Sequence, residues 1–230
     1  MNREDFSHGF DVLLNSYGAP AEISLNEHEK SVFLTNAQED LVAGLYSGRN
    51  PSGEAFENTE RTRRYLSTLI KEALLDPITN SSGNILGMES NSKFFTLPDD
   101  LWFITYESVK VSDPKCENTP MMGVYPVRQD EYHKIRKNPF RGANDRRALR
   151  LDLSDNVVEI ISSSTVSSYY VRYLRRLKPI ILVNLPDGLT INNISEATDC
   201  ELPEAMHQRI LEMAVGLAIR SKTIGKTENR

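Results

Sequence analysis

Hydrophobic positions recur at helical spacing at both ends of this chain and alternate in its middle. Phe6, Phe10, Leu13, Leu14 and Tyr17 predict a short amphipathic helix closed by Gly18 and Pro20. A second helix is capped by Asn26, with Glu29 completing an Asn-x-x-Glu box. Its stripe is Phe33 or Leu34, then Ala37, Leu41 and Leu45, and Gly48 stops it. After a loop over 49–58, the spacing of Leu66, Leu69, Ile70, Ala73 and Leu74 predicts a third helix, ending at Asp76-Pro77.

From about residue 78 the texture changes. TNSSGN is turn-rich, while FFT at 94–96 and LWFITYESVKV at 101–111 favour strands. Residues 112–123 read as irregular. A short VYPVR segment and a short helix at 129–136 follow. Leu149, Leu151 and Leu153 alternate with Arg150, Asp152 and Ser154, the pattern of a half-buried strand. Asp155-Asn156 turns the chain into Val157–Ile161. YYVRYLRRLK makes another strand, with Arg172, Arg176 and Lys178 on one face and Arg175 on the other. IILV after Pro179 reads as a buried strand.

The closing helix starts near Pro203 and carries two adjacent apolar stripes. Met206, Ile210, Met213 and Leu217 form one; Leu211, Val215 and Ala218 form the other. Gly216 sits inside it at a cost of about 1 kcal/mol relative to alanine. So wide an apolar surface calls for two partners, its own bundle and something else. Met206, Ile210, Leu211, Met213, Val215 and Leu217 are therefore candidate subunit-interface residues. The last residues, TIGKTENR, read as a frayed tail.

The expected fold is α+β: N-terminal helices and the C-terminal helix form a helical bundle, with a central antiparallel β-rich region and long loops. The divisions are 1–90 helical, 91–200 β-rich, 201–222 the closing helix packing on the N-terminal helices, and 223–230 a tail.

Composition fits an ordinary soluble globular protein of 230 residues, 39% hydrophobic and 26% charged. No apolar run approaches the ~20 residues that span a bilayer, and the N-terminus has no apolar signal region. The net charge of −5 hides a segregation. Residues 1–90 carry 7 basic and 14 acidic side chains, whereas residues 128–178 carry 12 basic and 6 acidic. Such asymmetry suggests a molecule that meets different partners at different faces. Arg146, Arg147, Arg150, Arg172, Arg175, Arg176 and Lys178 are the basic candidates to face DNA or a partner protein. Neutralising phosphates with them is the alternative function, a nucleic-acid-binding module using 134–150 and 172–178.

Enzyme chemistry finds little support. The chain has no P-loop, Rossmann fingerprint, His-Glu-x-x-His, paired-cysteine motif or nucleophile elbow. Its four histidines and two distant cysteines, Cys116 and Cys200, form no metal set. His207 reads as a histidine bonded to backbone or a carboxylate. Glu39-Asp40 and Asp99-Asp100 read as solvated or turn carboxylates rather than an acid–base pair. No enzyme activity, cofactor or metal is expected.

Six segments carry a resemblance. They are LNEHEKSVFLTNAQEDLVAGLYSG (25–48), ENTERTRRYLSTLIKEA (57–73), TLPDDLWFITYESVKV (96–111), NPF (138–140), YYVRYLRRLKPIIL (169–182) and CELPEAMHQRILEMAVGLAIRS (200–221). In this order they resemble the head-to-tail connector, or ring, proteins of crAss-like tailed bacteriophages. The layout is also similar to the adaptors beneath the portal of short-tailed phages. The resemblance implies a structural virion protein assembled in the host cytoplasm. It implies rings, usually of twelve copies, around the DNA exit channel of the portal–tail region. The implied partners are copies of the chain, the portal or an adjacent ring, and further tail components. Double-stranded DNA passes through without tight binding, and no membrane is involved.

Overall fold

The computed structural model describes residues 1–17, 25–49, 53, 55–78, 89, 92–112, 121–153, 156–186 and 188–227, with side chains as far as Ser221. The Gly18/Pro20 stop, the TNSSGN turn, most of 112–123, Cys116, Asp155 and the last three tail residues lie outside them. The fold is α+β and the chain divides into two compact units, residues 1–69 with 177–230, and residues 70–176.

In the first unit, α1 (Arg3–Ser16), α2 (Glu27–Ser47) and α5 (Glu204–Thr227) supply most of the core. Reciprocal capping boxes start both N-terminal helices, Asn2 with Asp5 and Asn26 with Glu29. Gly48, with φ of 75°, ends α2 in the left-handed conformation that glycine adopts without penalty. Phe6, Phe10 and Leu14 of α1 are buried, and α5 packs against both α1 and α2. The Phe33/Leu34 alternative resolves to Leu34, which is fully buried while Phe33 is half-buried.

Beside this apolar stripe α2 buries a polar one, Ser31, Thr35 and Gln38. Here the 178–182 segment runs alongside the helix. Ile180 N–H donates to Thr35 Oγ1 at 3.1 Å and Leu182 N–H to Ser31 Oγ at 3.0 Å, while Gln38 Nε2 donates to the Lys178 carbonyl at 2.9 Å. IILV is thus not a strand. Helix side chains satisfy its backbone, and its sheet-like pairing is reduced to one bridge, Ile181 with Thr198.

The second unit is a seven-stranded sheet. Its strands are β1 (Ile70–Leu75), β2 (Lys93–Thr96), β3 (Leu101–Ser112), β4 (Met121–Pro126), β5 (Arg147–Asp152), β6 (Val157–Ile161) and β7 (Thr165–Arg175), in the order β1-β7-β3-β4-β5-β6-β2. The expected antiparallel region is in fact a mixed sheet. β4 and β5 pair in parallel, joined by the crossover that contains α4 (Gln129–Arg136), and the other pairings are antiparallel.

The third helix is shorter than its spacing predicts. α3 covers only Glu60–Leu66, a 3₁₀ turn takes Ser67–Leu69, and Ile70–Leu75 becomes β1. Pairing with β7 over six positions, from Ile70↔Leu174 to Leu75↔Tyr169, overrides the local helical pattern. β5 also differs from the half-buried expectation. Leu149 and Leu151 pack with Ile161 and Tyr132 of α4, while Ala148 joins the cluster of Phe95, Ile160, Tyr169 and Val171. Both faces of this strand are covered, and Arg150 is buried with it.

Candidate subunit interface

The six apolar candidates on α5 divide by burial. Met206, Ile210, Leu211 and Val215 are at most 2% exposed and belong to the chain's own core. Leu211 faces α1, where a Cβ built on Gly9 would approach its Cδ2 to 2.8 Å, so glycine permits the close crossing. The chain therefore covers four of the six by itself. Met213 and Leu217 are half-buried. With Gly216 they floor an open groove of about 500 Å³, edged by Asp40 of α2 and by Arg209, Glu212 and Arg220.

The basic candidates differ in exposure and in what holds them. Arg150 is 9% exposed and its guanidinium is committed: Nη1 donates to Glu107 at 2.8 Å and Nε to Asp152 at 2.9 Å. Burial opposes its charge, but Glu107, Tyr169 and Asp152 outweigh burial and hold its pKa above the ordinary value. Tyr169, buried beside it, also donates to Glu107, which suppresses ionisation of the phenol further. Arg150 is thus a core ion-pair residue. Arg147 stacks over Tyr125, 4.3 Å from the ring centroid, and donates to the Phe140 carbonyl at 2.8 Å. Arg175 donates to the Arg176 carbonyl at 3.1 Å, and Arg172 lies 3.5 Å from Thr105 Oγ1. Arg146 and Arg176 are exposed. Lys178 is also exposed and belongs to the other unit, where its N–H donates to Glu201.

The remaining candidates have structural partners. His207 is 5% exposed, with Nε2 2.9 Å from the Leu202 carbonyl oxygen and its ring against Phe6. Asp100 accepts from Lys71 at 2.6 Å and from Tyr173 at 2.9 Å. Partial burial works against its ionisation, yet these donors win and hold its carboxyl below the usual range. The same burial and contact push the Tyr173 phenol up to about 12. Burial raises the Cys200 thiol to about 11, and it lies 3.3 Å from Gln38 Oε1. Among the described residues no group of three or more His, Cys, Asp or Glu could hold a metal ion. No helix there is long and apolar enough to cross a membrane.

A family model described as "Phage tail ring protein 3/4" matches residues 1–230. The chain belongs to that phage tail ring protein family. It is 47% identical over 226 residues to "Ring protein 3" of Bacteroides phage crAss001, covering 97% of each chain. It is 33% identical over 227 residues to "Ring protein 4/5" of the same phage, covering 95% of this chain and 92% of that one. The resemblance to the ring proteins of crAss-like phages is thereby established, and these relatives are named as ring components rather than enzymes.

Sequence reasoning missed two features of this ring-family chain. One is the Ser31/Thr35/Gln38 stripe, whose i, i+4, i+7 spacing was available as a signal for a buried polar helix face. The other is Glu107, which with Tyr169 and Arg150 forms a buried network across separate strands. Nothing local in the sequence announces those pairings.

Proposed function

We propose that this chain is a structural subunit of a ring at the head-to-tail junction of a crAss-like phage. The observation that carries the reading is the family match along the whole chain, joined to near-full-length identity with a protein named for its ring. Copies related by rotation bury unlike faces of themselves and close into a ring. Twelve copies beneath the portal, around the exit channel for double-stranded DNA, is the arrangement that the resemblance favours. The groove over Met213 and Leu217 supplies apolar surface that one copy leaves open. The chain serves as a virion part without catalysis, assembled in the host cytoplasm. Electron microscopy of the purified protein with portal-bearing particles tests this: rings on the portal axis are expected, and a chain that stays monomeric and never joins such particles sinks it.

A second role is contact with DNA through Arg146 and Arg176, which are exposed, and the half-buried Arg172. Titration of duplex DNA binding against salt checks it. Weak binding that vanishes at moderate salt is expected of a channel wall. A steep salt slope with tight low-salt binding would instead indicate a dedicated DNA-binding module.

A further inference from the structure

Gly216 has no internal explanation. A glycine inside a helix destabilises it relative to alanine. Where a chain keeps one, the usual physical reason is another element passing close to its Cα. Gly9 has that reason, with Leu211 above it, but a Cβ built on Gly216 would meet nothing within 4 Å among the described residues. Gly216 also lies in the open groove between Met213 and Leu217, with charged side chains of both signs around it. No described residue of the chain supplies a close neighbour for this glycine.

We propose that the outer face of α1 from a neighbouring copy occupies this groove; the inference rests on the ring reading above. α1 turns Phe6, Phe10 and Leu14 inward and leaves Glu4, His8, Val12 and Asn15 exposed on its far side. Val12 is 51% exposed, a branched apolar side chain in the centre of a polar face. The two faces match in length. Glu4 to Asn15 and Arg209 to Arg220 both cover eleven residue steps, about 16 Å of helix. Laid antiparallel, the acidic start of α1 at Glu4 meets Arg220. His8 lies over the gap at Gly216, Val12 rests on Met213, and Asn15 reaches Arg209. That orientation also opposes the two helix dipoles. The reverse orientation would set Glu4 beside Arg209 and Asn15 beside Arg220, but with the two helix dipoles parallel. With its own α1 on the Leu211 side and a neighbour's α1 in the groove, α5 is enclosed. The contact is heterologous, the type that repeats around a ring.

The test uses the full chain. Ring formation by the wild type, alone or with portal-bearing particles, is first established by mass photometry and electron microscopy. Absence of rings overturns the ring reading itself. In assembled rings, the Val12→Cys/Met213→Cys double variant should give a ladder of disulfide-linked oligomers on mild oxidation, and neither single variant should. Gly216→Leu fills the groove and removes an interior helix glycine. It should melt no lower than the wild type yet need at least about tenfold more protein to assemble. Arg220→Glu should weaken assembly, and adding Glu4→Arg should restore it. Rings that form without the ladder, or Gly216→Leu rings that form at wild-type concentration, overturn this docking while leaving the ring reading intact.

Discussion

Lys30 shows what one buried charge does in this fold. Its side chain is 4% exposed on α2, and its Nζ donates to Asp11 at 2.8 Å, to Glu27 at 2.9 Å and to Ser7 at 3.2 Å. Burial disfavours the ammonium, but the two carboxylates outweigh it and raise its pKa above 10.5. A lysine whose folded pKa is raised contributes stability that is fully present below about 10.5 and is lost as pH climbs through the folded value. Lys30→Met should cost about 1–2 kcal/mol in urea unfolding at pH 7, discounted because Asp11 and Glu27 are partly solvated. Its stability should also fall less steeply than the wild type's above pH 10.5. Parallel slopes for the two proteins would contradict the assignment. Arg150 is the stricter case, since Glu107 is 9% exposed and would be left buried without its cation. Arg150→Ala should destabilise by about 3–5 kcal/mol by the same measurement, whereas Arg146→Ala, at an exposed position, should fall within about 0.5 kcal/mol of wild type.

Among the elements, those with local signals were readable and those made by distant pairing were not. The Asn26–Glu29 box and the Gly48 stop mark α2 because each acts on backbone within one turn. Asn26→Ala should therefore cost about 1 kcal/mol, read as a lower thermal midpoint by circular dichroism. An unchanged midpoint would mean that tertiary packing alone holds this end. β1 is the opposite case: Leu66, Leu69, Ile70, Ala73 and Leu74 fit a helix, and only β7, about a hundred residues later, turns Ile70–Leu75 into a strand. For the same reason 180–183 looked like a strand. Its apolar run was legible, but its partner is a helix face rather than a sheet, and no periodicity records that. The parallel step from β4 to β5 was equally hidden, since it depends on α4 crossing between them. Of the candidate interface, the width of the apolar surface on α5 was readable. Which part the chain covers was not, because α1 and α2 decide it.

At the scale of the whole molecule, the charge map loses part of its contrast on folding. Within the basic stretch Arg128 pairs with Asp130, Arg136 with Glu89, and Arg150 with Glu107, so the surplus read along 128–178 is only partly available outside. The division into two units carries a further consequence. The chain leaves the helical unit at Leu69 and returns at Leu177. Between these points β1 and β7 are antiparallel neighbours, with Ile70 opposite Leu174 about 5 Å away and Leu177 three residues further on, so exit and return are close. A short flexible linker of about four residues can span such a gap. The core of the helical unit comes from Phe6, Phe10, Leu34, Leu41, Ile210 and Val215, none of them in the excised stretch. A chain with Ile70–Arg176 replaced by that linker should therefore keep a helical circular-dichroism spectrum and unfold cooperatively. It keeps both α1 and the Gly216 groove, so it should still self-associate, and Gly216→Leu should weaken that association in the shortened chain as in the full one. Loss of cooperative unfolding would show that the sheet is needed to fold the helices. A folded shortened chain that is strictly monomeric would place the contacts between copies on the sheet instead.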